Sequence, residues 1–207
     1  MFVVNRDIMI RTLCLIFAFA WFTNQGAQSG DTVLAANAIL MQFVSFSAFF
    51  LDGFALASET LVGNAVGGND RERLDRAISY STELALATSV LVSLIFLVSA
   101  TPVINILTNV VPVRETAHDY LPWAVAAPVI SVWCYVLDGI FIGATRTREM
   151  RNAMIISLAL FLGAWYVMIP WGNHGLWAAL MTYFLARALT LYAYLPRVRA
   201  AIGPREL

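Results

Sequence analysis

Three acidic residues, Asp52, Glu59 and Asp138, lie within long apolar stretches of the sequence. An ionised carboxylate in hydrocarbon costs several kcal/mol unless it is paired or faces water, so such residues are candidate proton carriers or cation ligands. Asp52 and Glu59 are seven residues apart and should share one face of a helix. The alternative for each acid is a structural role, in which the carboxylate accepts hydrogen bonds from a neighbouring helix.

Depth in the membrane separates the three acids. If the second helix leaves the bilayer near Asn64, a rise of about 1.5 Å per residue puts Asp52 roughly 18 Å inside and Glu59 only roughly 8 Å. By the same rise, Asp138 lies about 12 Å from Arg146. We therefore expect Asp52 near the middle of the membrane. Glu59 should reach interfacial water, and a structural role is favoured for it.

Apart from Arg11, near the start of the first span, Arg187 is the only basic residue inside a predicted span. It can pair with one of the acids, or its long side chain can extend to the membrane surface. We favour the pairing, so Arg187 is a candidate charge partner of the acidic residues. Amides within the spans, such as Asn37, either face a cavity or join helices, and joining helices is the more common role.

The composition indicates a membrane protein. Hydrophobic residues make up 60% of the chain and charged residues 13%, with a mean hydropathy of +0.74. A soluble domain is usually about half apolar and about a quarter charged, so lipid must surround most of this chain. The formal net charge is zero, and no basic groove for nucleic acid is implied. Cys14 and Cys134 lack a CxxC spacing, which argues against a disulfide or a zinc site.

Apolar runs long enough to cross a membrane recur six times along the chain. Each run must be helical, because backbone polar groups in lipid have to be satisfied within the segment. The predicted fold is therefore all-α, a polytopic integral membrane protein with one six-helix lobe over residues 1–207. Residues 67–76 and 108–120 are predicted to be loops. The predicted spans lie near residues 8–26, 33–66, 84–107, 121–144, 153–171 and 175–195.

The arginines predict the orientation of these spans. All 13 basic residues are arginine, and eleven lie near the termini or in the breaks after the second and fourth spans. Arg114 alone lies in the other breaks. Because positive charge is retained on the cytoplasmic side, we predict six crossings with both termini in the cytoplasm. Two glycine pairs, Gly63 with Gly67 and Gly139 with Gly143, predict close approach between helices.

The sequence contains no recognisable catalytic motif. There is no P-loop, GxSxG or HExxH, and His118 and His174 are isolated in the breaks between spans. We therefore expect neither enzyme activity nor a cofactor, and the sequence leaves open whether a metal ion binds.

Several segments resemble transporters of the multidrug and toxic compound extrusion (MATE) family, and in particular its DinF-like branch. The segment LDGFALASETLVGNAVG at 51–67, followed by the charged residues 70–76, resembles the eighth helix of these transporters and the loop after it. The segment LDGIFIGATR at 137–146 resembles their tenth helix and its end. NRDI at 5–8, with Arg11, resembles the start of their seventh helix. GLW at 175–177, with Ala186 and Arg187, resembles their last two helices. The similarity covers essentially the whole chain.

This resemblance implies secondary active efflux, in which an inward proton or sodium gradient drives small organic compounds out of the cell. It also implies a multi-pass protein of the bacterial cytoplasmic membrane with two six-helix lobes, of which this chain corresponds to the C-terminal one. The expected partners are the lipid bilayer, organic substrates, and either an N-terminal six-helix lobe or a second copy of the chain.

The resemblance is incomplete at the residues that couple transport to an ion. The sodium-linked NorM branch is thought to use an acid in the seventh helix with an aspartate in the tenth. Asp138 lies near the second position, but residues 8–26 contain no acid. The DinF-like branch is thought to place a proton-linked aspartate in its first helix, which this chain does not include.

Two hypotheses remain from the sequence. In the first, the chain is half of an antiporter: a truncated product, one piece of a split transporter, or a product started at an internal Met1. In the second, it is a non-transporting membrane fragment or scaffold without its partner lobe.

Overall fold

The computed structural model describes the backbone of residues 2–200 and the side chains from residue 5 onward. Arg205 of the arginine pattern and both ends of the predicted 1–207 lobe lie outside this range. Every regular element in it is helical, so the predicted all-α class is confirmed. The helices are α1 (Phe2–Gln28), α2 (Asp31–Gly67), α3 (Arg71–Leu107), α4 (Val111–Gly143), α5 (Thr147–Met168) and α6 (Gly172–Arg199), with a 3-10 turn at Ile169–Trp171 between α5 and α6.

Five helical segments of the described residues are long and apolar enough to cross a membrane. The prediction of six separate spans is therefore not matched exactly. The fifth segment, Thr147–Arg199, contains both α5 and α6, which the short 3-10 turn at Ile169–Trp171 joins without a non-helical residue between them. With 22 and 28 residues, the two helices are about 33 and 42 Å long, and each exceeds the roughly 30 Å of hydrocarbon in a bilayer.

The helices extend beyond the apolar runs, so the predicted loops were too long. α3 already begins at Arg71, where the Asp70 carboxylate accepts a hydrogen bond from the backbone N–H of Arg73 at 3.1 Å. α4 begins at Val111 with a proline in its first turn. Such caps allow a polar segment to continue a helix, whereas an apolar run reports only the part that lies in lipid.

α2 and α4 pack with their backbones in contact. A Cβ atom added at Gly139 would overlap the carbonyl oxygen of Ala55, and one added at Gly143 would overlap that of Glu59. On α2, a Cβ atom at Gly63 would lie 3.5 Å from the Gly143 oxygen, whereas Gly67 faces open space. Close approach is therefore confirmed for the second glycine pair and for Gly63. Only a residue without a side chain fits at Gly139 and Gly143, whereas a Cβ atom at Gly63 would make an ordinary van der Waals contact.

A buried amide network holds α2 to α6 near the turn between α1 and α2. Asn37 and Asn173 donate to each other at 2.7 and 2.9 Å, and the Trp177 indole N–H donates to the Asn37 oxygen at 2.9 Å. The helix-joining role expected of such amides is thus observed for Asn37.

We call the opposite end of the bundle the arginine-rich end. It is the end where α1, α3 and α5 begin and where α2, α4 and α6 end.

Candidate ion and substrate site

Two arginines from different helices converge on one buried aspartate. Asp138 of α4 is only 4% exposed, and its Oδ2 atom accepts hydrogen bonds from the Nη2 atoms of both Arg11 in α1 and Arg187 in α6. The sequence-predicted candidates Asp138 and Arg187 are therefore in direct contact. This group of three residues, the Asp138 triad, joins three helices of the lobe.

The two arginines of the triad differ in their access to solvent. The Arg187 side chain is 3% exposed, and its guanidinium carbon lies 5.9 Å from the centre of the Tyr135 ring. The Arg11 side chain is 23% exposed. Arg187 is thus enclosed by protein on all sides, whereas Arg11 reaches an open pocket.

That pocket, of about 290 Å³, brings the three sequence-predicted acids together. We call it the carboxylate pocket. Asp52 and Glu59 of α2 line it together, as their seven-residue spacing predicts, and Asp138 of α4 lines it as well. Asp52 is exposed to the pocket and Glu59 is half-buried. The residues that line it are Arg11, Asp52, Ala55, Leu56, Glu59, Tyr135, Asp138, Gly139 and Ile142.

The close packing of α2 on α4 explains why these acids face one another. Gly139 lines the carboxylate pocket one residue after Asp138 and allows α4 to lie on the backbone of Ala55. Gly143 makes the same contact at Glu59, one helical turn away. The two glycines of α4 therefore allow Asp138 to line the same small pocket as the two carboxylates of α2.

The charges around the pocket do not cancel. The Asp138 triad carries one excess positive charge, because two guanidinium groups face one carboxylate. Asp52 and Glu59 form no ion pair among the described residues, and together they leave the whole group with one excess negative charge. An unbalanced charge in a weakly hydrated site is costly, so the pocket favours a further cation or a proton.

Sequence reasoning missed two members of the charged interior. In the sequence, Arg11 contributes only to the orientation signal and to the family resemblance, and Asp7 only to that resemblance, as part of NRDI at 5–8. Asp7 is nevertheless fully buried and accepts a hydrogen bond at 2.8 Å from Arg151 of α5. The available signal was spacing, since Asp7 and Arg11 are four residues apart and occupy one face of α1.

Among the described residues, no group of three or more His, Cys, Asp or Glu side chains is arranged to hold a metal ion. The three carboxylates of the pocket share a cavity without forming a closed set of ligands. The pocket therefore offers carboxylates that can take up a proton or a cation next to two guanidinium groups.

Comparison with known proteins identifies relatives along most of the chain. The family model described as MatE matches residues 8–167. DNA damage-inducible protein F of Escherichia coli K12 is 41% identical over 191 residues, which cover 92% of this chain and 41% of that protein. The probable multidrug resistance protein NorM of Bacillus anthracis is 28% identical over 162 residues, covering 77% of this chain and 35% of the relative.

Solved structures share the fold. An outward-facing multidrug resistance MATE family transporter of the MOP superfamily superposes with a TM-score of 0.83 at 16% identity, over 92% of this chain and 44% of that one. A MOP superfamily transporter from Pyrococcus furiosus gives 0.84 at 17% identity, over 98% and 47%. The chain thus spans less than half the length of the proteins it resembles.

Proposed function

We propose that this chain, which belongs to the MatE family, forms one six-helix lobe of a secondary active efflux transporter for small organic compounds. The family's homologues are membrane transporters and not enzymes. The carboxylate pocket is the observation on which the proposal rests, because its acids leave an excess negative charge that a cationic substrate, a proton or a sodium ion can neutralise.

The three acids have different roles in this proposal. Asp52 faces the open pocket without an ion pair, so it is the residue that binds the cation or carries the proton. Asp138 is already in contact with two guanidinium groups, and it acts by holding Arg11 at the edge of the pocket. Glu59 lies about two helical turns closer to the arginine-rich end than Asp52 does, and it contributes less to cation or proton binding.

We propose six crossings over residues 1–207, with the arginine-rich end in the bacterial cytoplasm. Consecutive helices are joined by turns of two or three residues, so an even number of helices supports having both termini on one side. The ten arginines that the structure describes near that side support a cytoplasmic location.

The second lobe is supplied either by a separate N-terminal six-helix partner or by a second copy of this chain. The relatives are more than twice as long as the matched region, which supports a two-lobe assembly. The same observation favours the alternative function, a membrane fragment or scaffold that does not transport by itself.

An efflux assay tests the proposal. The chain is expressed in a pump-deficient bacterial strain, alone or with the part of the E. coli relative that it does not match, and ethidium efflux is followed. We expect gradient-dependent efflux only when both parts are present. Efflux by the chain alone would instead show a second copy as the partner. No efflux in either case, with both parts present in the membrane, would contradict a transport function.

A further inference from the structure

A second pocket of about 480 Å³ lies between α3, α4 and α6 near the arginine-rich end. We call it the lateral pocket. It shares no residue with the carboxylate pocket, because it is formed by the opposite face of α4. The lining residues that bear on its chemistry are Asp75, Glu83, Trp133, Leu137, Tyr192 and Arg199.

The lateral pocket opens toward the side of the helix bundle. Trp133 is 41% exposed and Tyr192 is 65% exposed, and both rings form part of its wall. The neighbouring Leu84 on α3 is also exposed. Large exposed apolar side chains on a membrane-spanning lobe face lipid, so a molecule dissolved in the membrane can enter this pocket without passing through water.

One end of the lateral pocket is electrically neutral. The Nε atom of Arg199 lies 2.9 Å from Oδ1 of Asp75, and this ion pair joins the end of α6 to the start of α3. Glu83 accepts a hydrogen bond from the Ser79 hydroxyl at 3.0 Å but forms no ion pair with any described residue. The pocket therefore contains a single uncompensated negative charge, located at Glu83.

Distance separates Glu83 from the ion pair. Asp75 and Glu83 are eight positions apart on α3, which corresponds to about 12 Å of helical rise. Arg199, the basic residue among those lining the pocket, is already paired with Asp75, so the phosphate of a zwitterionic headgroup would find no free cationic partner here. The charge pattern instead fits one cationic group at Glu83. Trp133 and Tyr192 line the same pocket, and aromatic rings are favourable neighbours for a cation.

We propose that the lateral pocket binds a membrane-dissolved amphiphile with one positive charge, such as an alkylammonium. Its ammonium group pairs with Glu83, and its apolar tail lies along Trp133 and Leu137. Pairing relieves the cost of a carboxylate at the edge of the hydrocarbon, and the tail remains in an apolar environment. This binding does not rest on the proposed transport function, since it requires neither a second lobe nor an ion gradient.

Fluorescence quenching of Trp133 tests the inference on the full chain in phosphatidylcholine nanodiscs. The probe is a hexadecylammonium with a nitroxide on its headgroup, and the signal of Trp133 is the difference between wild type and Trp133→Phe. We expect saturable quenching that Glu83→Gln weakens by about fivefold, the effect of losing one partly exposed ion pair. Glu83→Asp retains the charge and should retain binding.

Two controls separate this site from general attraction to the membrane protein. Glu115→Gln removes an exposed acid at the other end of α4 and should leave quenching unchanged. A nitroxide-labelled hexadecyl alcohol carries no charge and should quench weakly and without saturation. Equal binding by Glu83→Gln and wild type, or equal quenching by the alcohol, would overturn the proposal. Displacement of the probe by phosphatidylethanolamine as effective as by unlabelled hexadecylammonium would show that the ligand class is wrong.

Discussion

Gly139 of α4 lies directly against the carbonyl oxygen of Ala55 in α2, so that no side chain can be accommodated between the two helices. This contact lies next to Asp138 and one turn from Glu59. The geometry of the carboxylate pocket therefore depends on the absence of a single methyl group.

Replacement of Gly139 by alanine should destabilise the lobe. The added methyl group overlaps backbone atoms, which cannot move as a flexible side chain can, and such overpacking costs about 1–3 kcal/mol. SDS-induced unfolding in mixed micelles measures the loss. The matched control is Gly53→Ala, where the added atom meets open space in the middle of α2 and should be neutral or slightly stabilising. Equal stability of both variants would contradict backbone contact at Gly139.

Asp138→Asn should be far more destabilising than Asp52→Asn. The first change leaves Arg11 and Arg187 without their counter-charge, and breaking a buried ion pair costs about 3–5 kcal/mol. The second change removes a carboxylate that has no ion pair and faces an open pocket. Unfolding of purified protein gives both values. The double variant Asp138→Asn with Arg187→Gln should recover part of the loss, and no recovery would argue against a direct charge interaction.

Asp52→Asn should abolish gradient-driven efflux in a two-lobe assembly while leaving folding intact. Asparagine retains the size and hydrogen-bonding capacity of aspartate without its charge, so the change isolates cation or proton binding from packing. Asp138→Asn should also reduce efflux, and Glu59→Gln should have the smallest effect. Transport is measured at matched membrane expression. Normal efflux by both asparagine variants would assign the acids a purely structural role.

Cysteine labelling should place the two ends of the bundle on opposite sides of the membrane. Ser29 lies in the turn between α1 and α2, Arg148 lies near the start of α5, and both side chains are exposed. In a variant with Cys14 and Cys134 replaced by serine, Ser29→Cys should react with an impermeant maleimide on intact cells. Arg148→Cys should react only after the membrane is permeabilised. Labelling of both from outside would refute the proposed topology.

The sequence predicts the helices well because hydrophobicity and backbone satisfaction in lipid allow only one kind of segment. It predicts their ends poorly, since a cap such as Asp70 extends a helix through polar residues that look like a loop. The shared face of Asp52 and Glu59 follows from local spacing alone. The contact of Arg11 with Asp138 does not, because 127 residues separate them and no local pattern relates the two.

The Asp138 triad also constrains how the lobe is made. Arg11 is synthesised first, Asp138 follows 127 residues later, and Arg187 is added after a further 49. The first helix must therefore enter the bilayer with a charge whose counter-ion does not yet exist. Before α6 is added, Arg11 and Asp138 can form a pair of balanced charge. Insertion of α6 then brings the Arg187 guanidinium, so the excess positive charge of the triad arises only when α6 enters the lobe.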